Sequence, residues 1–526
     1  MSLVRSGRSQ VPVSRVCGVR RATGARAGIA LLVTAISSGA GASEWNPRMS
    51  LSLTATGSDN PSLRVRGQEQ SDLILRTAPV FGVKRSSGML KVDMTYAPVV
   101  VGSLNDTTGD SLFNTLNASA NLEAVPSRFF VDSRATIAQT FISPFGAQPR
   151  DVTTSTTNRT ETRTIALSPY YQGRFSGGGT FQLRDDFLYT TYAQGNLPDQ
   201  TTNRVSAVAS GDPGRFIVPG VDATHQDSSL ASGQQFSSDI LRGRASFRFD
   251  ADLSVYLTGG HERNDYGTRS FSGSTYGVGG QWQPTPRTTV NLSVDKRFFG
   301  TGYAADVSHR TRATTWRLRL SRQEQVSQQT GIGVTQTSTA SFLSELLRTS
   351  IPDEAARQTE VNRLIQTGNL PPTLGATSSY VSPRVVLVES LEPSFGIIGV
   401  RNSILLTVYW RATTPLSTAP TSGTPDIFSS VSKLRQQGFA LTASHSLTEQ
   451  TSLSAGIDRV QTQSTALAAG AAALETLQTT LRFTVLHSLN PRTSLSAGVR
   501  FLTLDSSSTN DSRERALLFT LAHQFR

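Results

Sequence analysis

Apolar and polar residues alternate along most of the chain, and one alternating stretch occurs twice. Residues 439–457 run FALTASHSLTEQTSLSAGI and residues 481–499 run LRFTVLHSLNPRTSLSAGV. His445-Ser446-Leu447 recurs as His487-Ser488-Leu489, and Thr451 to Gly456 recurs as Thr493 to Gly498. Phe439, Leu441, Ala443, His445 and Leu447 share one side of a pleat, as do Leu481, Phe483, Val485, His487 and Leu489. A period of two predicts strands with one apolar and one wetted face. The polar pairs Glu449-Gln450 and Pro491-Arg492 predict a hairpin in each copy.

The same pattern fills the rest of the chain. Met49, Leu51, Leu53 and Ala55 start the first strand; Leu517, Phe519, Leu521, His523 and Phe525 end the last. Tight turns at 86–88, 126–127, 250–252, 284–286, 448–450 and 490–491 alternate with polar loops at 57–70, 102–111, 143–159, 227–235, 266–273, 412–430 and 464–473. Short turns at one rim and long loops at the other are the signature of an outer-membrane barrel. The expected fold is all-β: a transmembrane antiparallel up-and-down β-barrel of about 22 strands, with both ends of the chain on the short-turn side. Gly211-Asp212-Pro213-Gly214 reads either as a turn or as part of a loop, which widens the count to roughly 18–24. No run of 18 apolar residues occurs, which excludes a transmembrane helix but not a barrel, whose strands face lipid at alternate positions only.

One segment breaks the period. Phe342, Leu343, Leu346, Leu347 and Ile351, then Ala355, Ala356, Val361, Leu364 and Ile365, follow helical spacing, with Pro352-Asp353-Glu354 as a helix restart. This helical insertion belongs to a long outer loop, 329–379. It either folds over or into the barrel mouth or remains a surface excursion. Only Ser43 to Arg48 precede the first strand, so any filler of so wide a lumen is expected from a loop, wet side chains or another protein.

The formal charge of +12 changes this picture little. Six of the 50 basic residues (Arg5, Arg8, Arg15, Arg20, Arg21 and Arg26) lie within the first 42, where no acid occurs, leaving 44 bases against 38 acids. No basic cluster marks a nucleic-acid partner. Residues 1–42 are expected to be a signal peptide, with an apolar core from Ala27 to Ile36 and Ala40-Gly41-Ala42 as a cleavage site. Residues 43–526 are then the barrel. The single cysteine, Cys17, falls in that leader, so the mature chain is expected to lack thiol chemistry.

The candidate chemistry is sparse, and neither a cofactor nor a metal is expected. His445, His487 and His523 lie on strands two apart, about 9.6 Å from one another, whereas zinc ligands sit about 2 Å from the metal. They suit an interfacial belt instead. Asp185-Asp186 points to opposite faces in a strand and makes no carboxylate dyad. The wet faces carry Arg244, Arg248, Arg317, Arg319, Arg401 and Arg482 as candidate lumen-lining residues, with Asp93, Glu123, Asp132 and Asp295 as acidic counterparts. Such a lining either braces the wall or weakly guides an acidic polymer.

Several phrases, in order, resemble one family: Ser58-Asp59-Asn60, Gly67 to Asp72, Ile142-Ser143-Pro144-Phe145-Gly146, Asn264-Asp265-Tyr266-Gly267, Trp282 to Arg287, His309-Arg310-Thr311-Arg312 and Gly399-Val400-Arg401-Asn402. Together they are similar to the outer-membrane β-barrels associated with PEP-CTERM/exosortase systems. That resemblance implies a place in an exopolysaccharide or surface-protein export locus, with no catalytic residue carried over. The chain shows no terminal Pro-Glu-Pro and hydrophobic helix, so it is not expected to be a sorting substrate of that system. The expected function is a passive, porin-like, non-enzymatic channel or scaffold for exopolysaccharide export. A structural or receptor barrel anchoring surface proteins, and an outer-membrane hydrolase, are the alternatives. Expected partners are outer-membrane lipid, the barrel-assembly machinery and polysaccharide export components.

Overall fold

The structure, a computed structural model, describes residues 45–525 apart from 87, 194–196, 268, 327–338, 349–350, 355, 359–360, 362–379, 418–425, 468–472 and 508–510. The expected signal peptide (1–42) and much of the 329–379 insertion lie outside the described residues.

Twenty-four hydrogen-bonded segments form one antiparallel sheet. Leu90–Tyr96 and Val99–Ser103 both pair with Asp72–Ser86, as two halves of one strand. Ser111–Phe113 and Leu116–Val125 pair with those halves in turn. The break falls at Pro98, which has no N–H to give to a ladder. The barrel therefore has 22 strands. Trp45–Ser58 closes it against Ser512–Gln524, with Leu51 opposite His523 and Ser58 opposite Ala516. Gly211–Gly214 is a turn: Gln200–Ser210 and Ile217–Leu230 flank it, and the Gly211 N–H donates to the Pro219 carbonyl.

The alternation sorts side chains as the sequence expects. Along the last strand Leu517, Phe519 and Leu521 are 55%, 57% and 43% exposed, while Ser512, Glu514 and Ala516 between the outward positions are buried. A closed, untwinned apolar surface of this kind is stable only in hydrocarbon, where the barrel satisfies every backbone group. With short turns at one rim and long loops at the other, this is a barrel of the Gram-negative outer membrane, its short turns facing the periplasm. Replacing Phe519, in the middle of that band, by Lys should cost about 2–4 kcal/mol. Urea unfolding of the protein refolded into vesicles measures it, and Thr520→Lys, on the inner face, should cost far less.

His309, His445, His487 and His523 sit on the outward face at the short-turn rim. Each shares a hydrogen bond with the residue directly across the ladder: Thr288 (2.9 Å), Asn402 (2.6 Å), Thr451 (2.9 Å) and Thr493 (2.9 Å). The repeated stretch of the sequence thus recurs as a repeated joint at the lipid interface.

Candidate functional site: the lumen and its inward loops

The described residues of three long loops lie inside the barrel. Residues 142–158 leave Phe129–Phe141 and cross to the inner wall built by the last four strands. Arg150 pairs with Asp458 (2.7 Å), Asp151 with Arg500 (2.9 Å), and the Thr154 hydroxyl donates to Glu514 (2.8 Å). Gln148 and Gln478 exchange two amide hydrogen bonds, of 2.8 and 3.0 Å. Arg500 also pairs with Glu514 at 2.8 Å, and both are buried in the wall. The loop's base is pinned by Asn158, whose amide donates to the carbonyls of Ser143 and Ala147 and accepts the Ser143 N–H. Burial acts to raise the carboxyl pKa of Asp151, but Arg500, the Thr153 N–H and further arginines outweigh it and hold it below the usual carboxylate range.

The second inward segment is the 327–384 insertion. Its helix, Thr339–Leu347, places Phe342, Leu343, Leu346 and Leu347 on one face, the i, i+3, i+4 spacing of a single stripe. They pack with Val361 against Leu405, beside Ile398. Gly396 and Leu405 are cross-strand partners, and the Phe342 ring lies where a side chain at Gly396 would stand. Glu345 pairs with Arg310. Arg310 and Ile398 lie next to the short turns at 311–313 and 399–401, so the helix sits near the short-turn rim. Of the two placements the sequence leaves open, the structure selects the lumen. Asp353 accepts the Ala356 N–H at 2.7 Å, the cap expected of a helix restart there.

The third is 416–430. Its Phe428 meets Phe145 of the first loop and Tyr380 of the second over Val386, Val388, Val431 and Leu434 of the wall. Arg384 and Asp426, whose side chains are almost fully covered, pair beside this cluster. The long-loop end of the barrel thus encloses an apolar core of its own.

Elsewhere the inner wall is polar and bounds cavities. A cavity of about 560 Å³ is lined by Arg244, Arg248, Tyr256, Asn291, Asp306 and Arg319 among others, and a second of about 550 Å³ by Lys84, Asp93, Asp132 and Arg184 among others. Arg248 and Ser254 flank the 249–252 turn, so the first cavity reaches the short-turn rim. Arg244 lies over the Tyr256 ring at 4.7 Å, within cation–π range. Tyr256 in turn lies across Gly279, its ladder partner, where a side chain would collide with the ring.

The six candidate arginines separate into distinct settings. Arg317 grips Asp306 with two nitrogens, at 3.2 and 2.7 Å, and Arg319 bonds the same carboxylate at 3.3 Å. Arg482 faces Asp458 at 3.7 Å, beneath the 142–158 loop. Arg401 lies in the 399–401 turn and not in a strand, because the Gly399 N–H donates to the Asn402 carbonyl and closes the hairpin there. Arg244 and Arg248 have no carboxylate within ion-pair distance among the described residues. Of the acidic counterparts, Asp132 holds Arg184 at 3.0 Å, which Asp186 on its own strand also holds at 2.7 Å, and Asp93 faces Lys84 at 3.9 Å. The Asp306 and Asp132 pairings follow from ladder register, which residue parity alone does not supply.

No protein-family model and no curated protein matches the chain. Solved structures do share its outline. The siderophore receptor PirA from Acinetobacter baumannii aligns over 91% of this chain and 80% of its own, with 9% identity and a TM-score of 0.47. The outer membrane protein OpdK from Pseudomonas aeruginosa covers 91% and 99%, at 9% identity and a TM-score of 0.35. The alcaligin outer membrane receptor FauA from Bordetella pertussis covers 91% and 76%, at 11% identity and a TM-score of 0.39.

Proposed function

We propose that this barrel is a passive, non-enzymatic conduit for an acidic exopolysaccharide, working beside polysaccharide export components in an exosortase-type surface system. The observation that supports it most is the hollow wall at the periplasmic end, where Arg244 and Arg248 stand without acidic partners beside Tyr256 and a row of Ser, Asn and Gln side chains. Uncompensated guanidinium groups attract carboxylates, and neutral polar groups bond sugar hydroxyls as a chain slides past. A polymer arriving from the periplasm meets this surface before the filled long-loop end.

Planar-bilayer recordings test the reading. Arg244→Ser with Arg248→Ser should shift the reversal potential toward cation selectivity, and uronic-acid oligosaccharides added on the short-turn side should block the parent more than the variant. Arg317→Ser should shift the reversal potential in the same direction, since it removes one of the two guanidinium groups that face Asp306. Unchanged selectivity in both variants, or secreted polysaccharide unaltered in a deletion strain, would remove the export role. The filled long-loop end favours a second reading, a scaffold that anchors surface proteins without transport; a refolded barrel with no conductance in any variant would support it.

A further inference from the structure

The outer wall carries a charged patch that the conduit does not use. Above the apolar band, on the long-loop side, Arg459, Thr479, Thr503 and Arg513 stand in one hydrogen-bonded row across four adjacent strands. The row beneath is Ile457, Leu481, Phe501 and Arg515. All eight occupy outward positions: Phe501 is exposed, as are Arg459, Arg513 and Arg515, while Glu514 and Ala516, on either side of Arg515, are buried inward. The two flanking arginines of the upper row are three strand spacings apart, about 14 Å along the sheet. Arg515 lies two residues below Arg513, on the same face.

Two rows therefore form a cradle with cationic ends, a hydroxyl floor and an apolar sill that continues into Leu517 and Phe519. Among the described residues, none of the three arginines has a carboxylate within ion-pair distance. The nearby acids are engaged: Glu475 accepts amide hydrogen bonds from Gln461 and Gln463, Asp505 faces Arg66 at 3.6 Å, and Asp59 accepts the backbone N–H of Arg515. The wall of 217–240 differs at its long-loop end. There Asp227 and Asp239 both bond His225, at 2.8 and 2.6 Å.

We infer that this cradle is a binding site for a phosphorylated glycolipid of the outer leaflet, of the lipid A class. The chemistry matches in three parts. Phosphates take charge-assisted hydrogen bonds from guanidinium forks; a sugar headgroup between them meets the hydroxyls of Thr479 and Thr503; acyl chains continue down over Ile457, Leu481 and Phe501. Its height, at the upper edge of the apolar band on the long-loop side, puts it in the outer leaflet, away from the phospholipids that border the short-turn rim. The site holds lipid to one sector of the barrel and leaves the 217–240 wall free of it.

The test uses the full chain refolded into detergent and mixed with bisphosphorylated lipid A, dephosphorylated lipid A or phosphatidylglycerol, with retained lipid counted by native mass spectrometry. The parent should retain bisphosphorylated lipid A in preference to both others. Arg459→Gln, Arg513→Gln and Arg515→Gln should each lower its retention roughly five-fold, in line with about 1 kcal/mol per basic residue at an anionic surface. Arg263→Gln, on another wall at a similar height, should change little. Heat-modified gel mobility confirms that each variant is folded. Equal retention by the parent and the variant carrying all three substitutions, equal loss in Arg263→Gln, or phosphatidylglycerol retained as well as lipid A would overturn the assignment. None of these outcomes depends on conductance or polysaccharide export.

Discussion

Deleting residues 329–379 is expected to raise single-channel conductance several-fold in planar bilayers. The reason is geometric. A barrel of 22 strands encloses a lumen wide enough to need a filler, and the helix Thr339–Leu347 lies along its inner wall down to the short-turn rim. Four apolar side chains of the helix cover Leu405, an apolar residue at a wet-face position, and Arg310 anchors it through Glu345. Removing the segment leaves Leu405 and Arg310 facing water, which costs stability but leaves the ladder intact. Heat-modified gel mobility should therefore still report a folded barrel. Phe342→Asp with Leu343→Asp keeps the chain length and attacks only the apolar contact; it should give frequent, brief openings rather than a permanently wider pore. Conductance unchanged in both variants would mean that the helix does not obstruct the path.

The barrel was legible in the sequence because parity needs no partner. Whatever strand lies beside it, a residue such as Leu517 faces the same side as Phe519 and Leu521, and a tight turn such as 249–252 reverses the chain locally. The loops were not legible for the converse reason: where 142–158 goes depends on Asp458, Gln478, Arg500 and Glu514, more than 300 residues away. Some signals of inward packing were nonetheless present. Val385-Val386-Leu387-Val388 is apolar at every position, and all four are buried, the mark of a strand covered on both faces. Leu405, Leu434 and Leu502 interrupt wet faces, and each is buried under a loop or beside one. The phrases on which the expected resemblance rests mark the same places. Phe145 of Ile142 to Gly146 joins the internal core, Ser58 bonds Glu514 at 2.9 Å, and Arg310 holds the helix. Lumen selectivity was the least legible, since it depends on which arginines register sets against a carboxylate. Arg317 and Arg244 look alike in sequence and differ entirely in company.

Replacing Arg500 by Met should destabilise the folded barrel by about 3–5 kcal/mol, the cost of removing one partner from a buried ion pair. Arg500 is 3% exposed and lies between Asp151 of the inward loop and Glu514 of the last strand, which is itself 1% exposed. Without the guanidinium, Glu514 keeps only the hydroxyls of Ser58 and Thr154, and Asp151 loses its ion pair. Arg500→Met with Glu514→Gln should recover part of the loss, since no buried charge is then left alone. The same contact gives a pH dependence whose sign is set. Asp151 has its folded pKa below the unfolded value of about 3.9. Its stabilising contribution is therefore fully present above that value and is lost as pH falls through the lower, folded one. Urea midpoints should be level with respect to this group from pH 8 to about 5 and should decline below about 4. In Asp151→Asn the decline should be shallower and the midpoint at neutral pH lower, because the latch is already undone. A parent and variant that lose stability in parallel on acidification would show that Asp151 does not hold the loop to the wall.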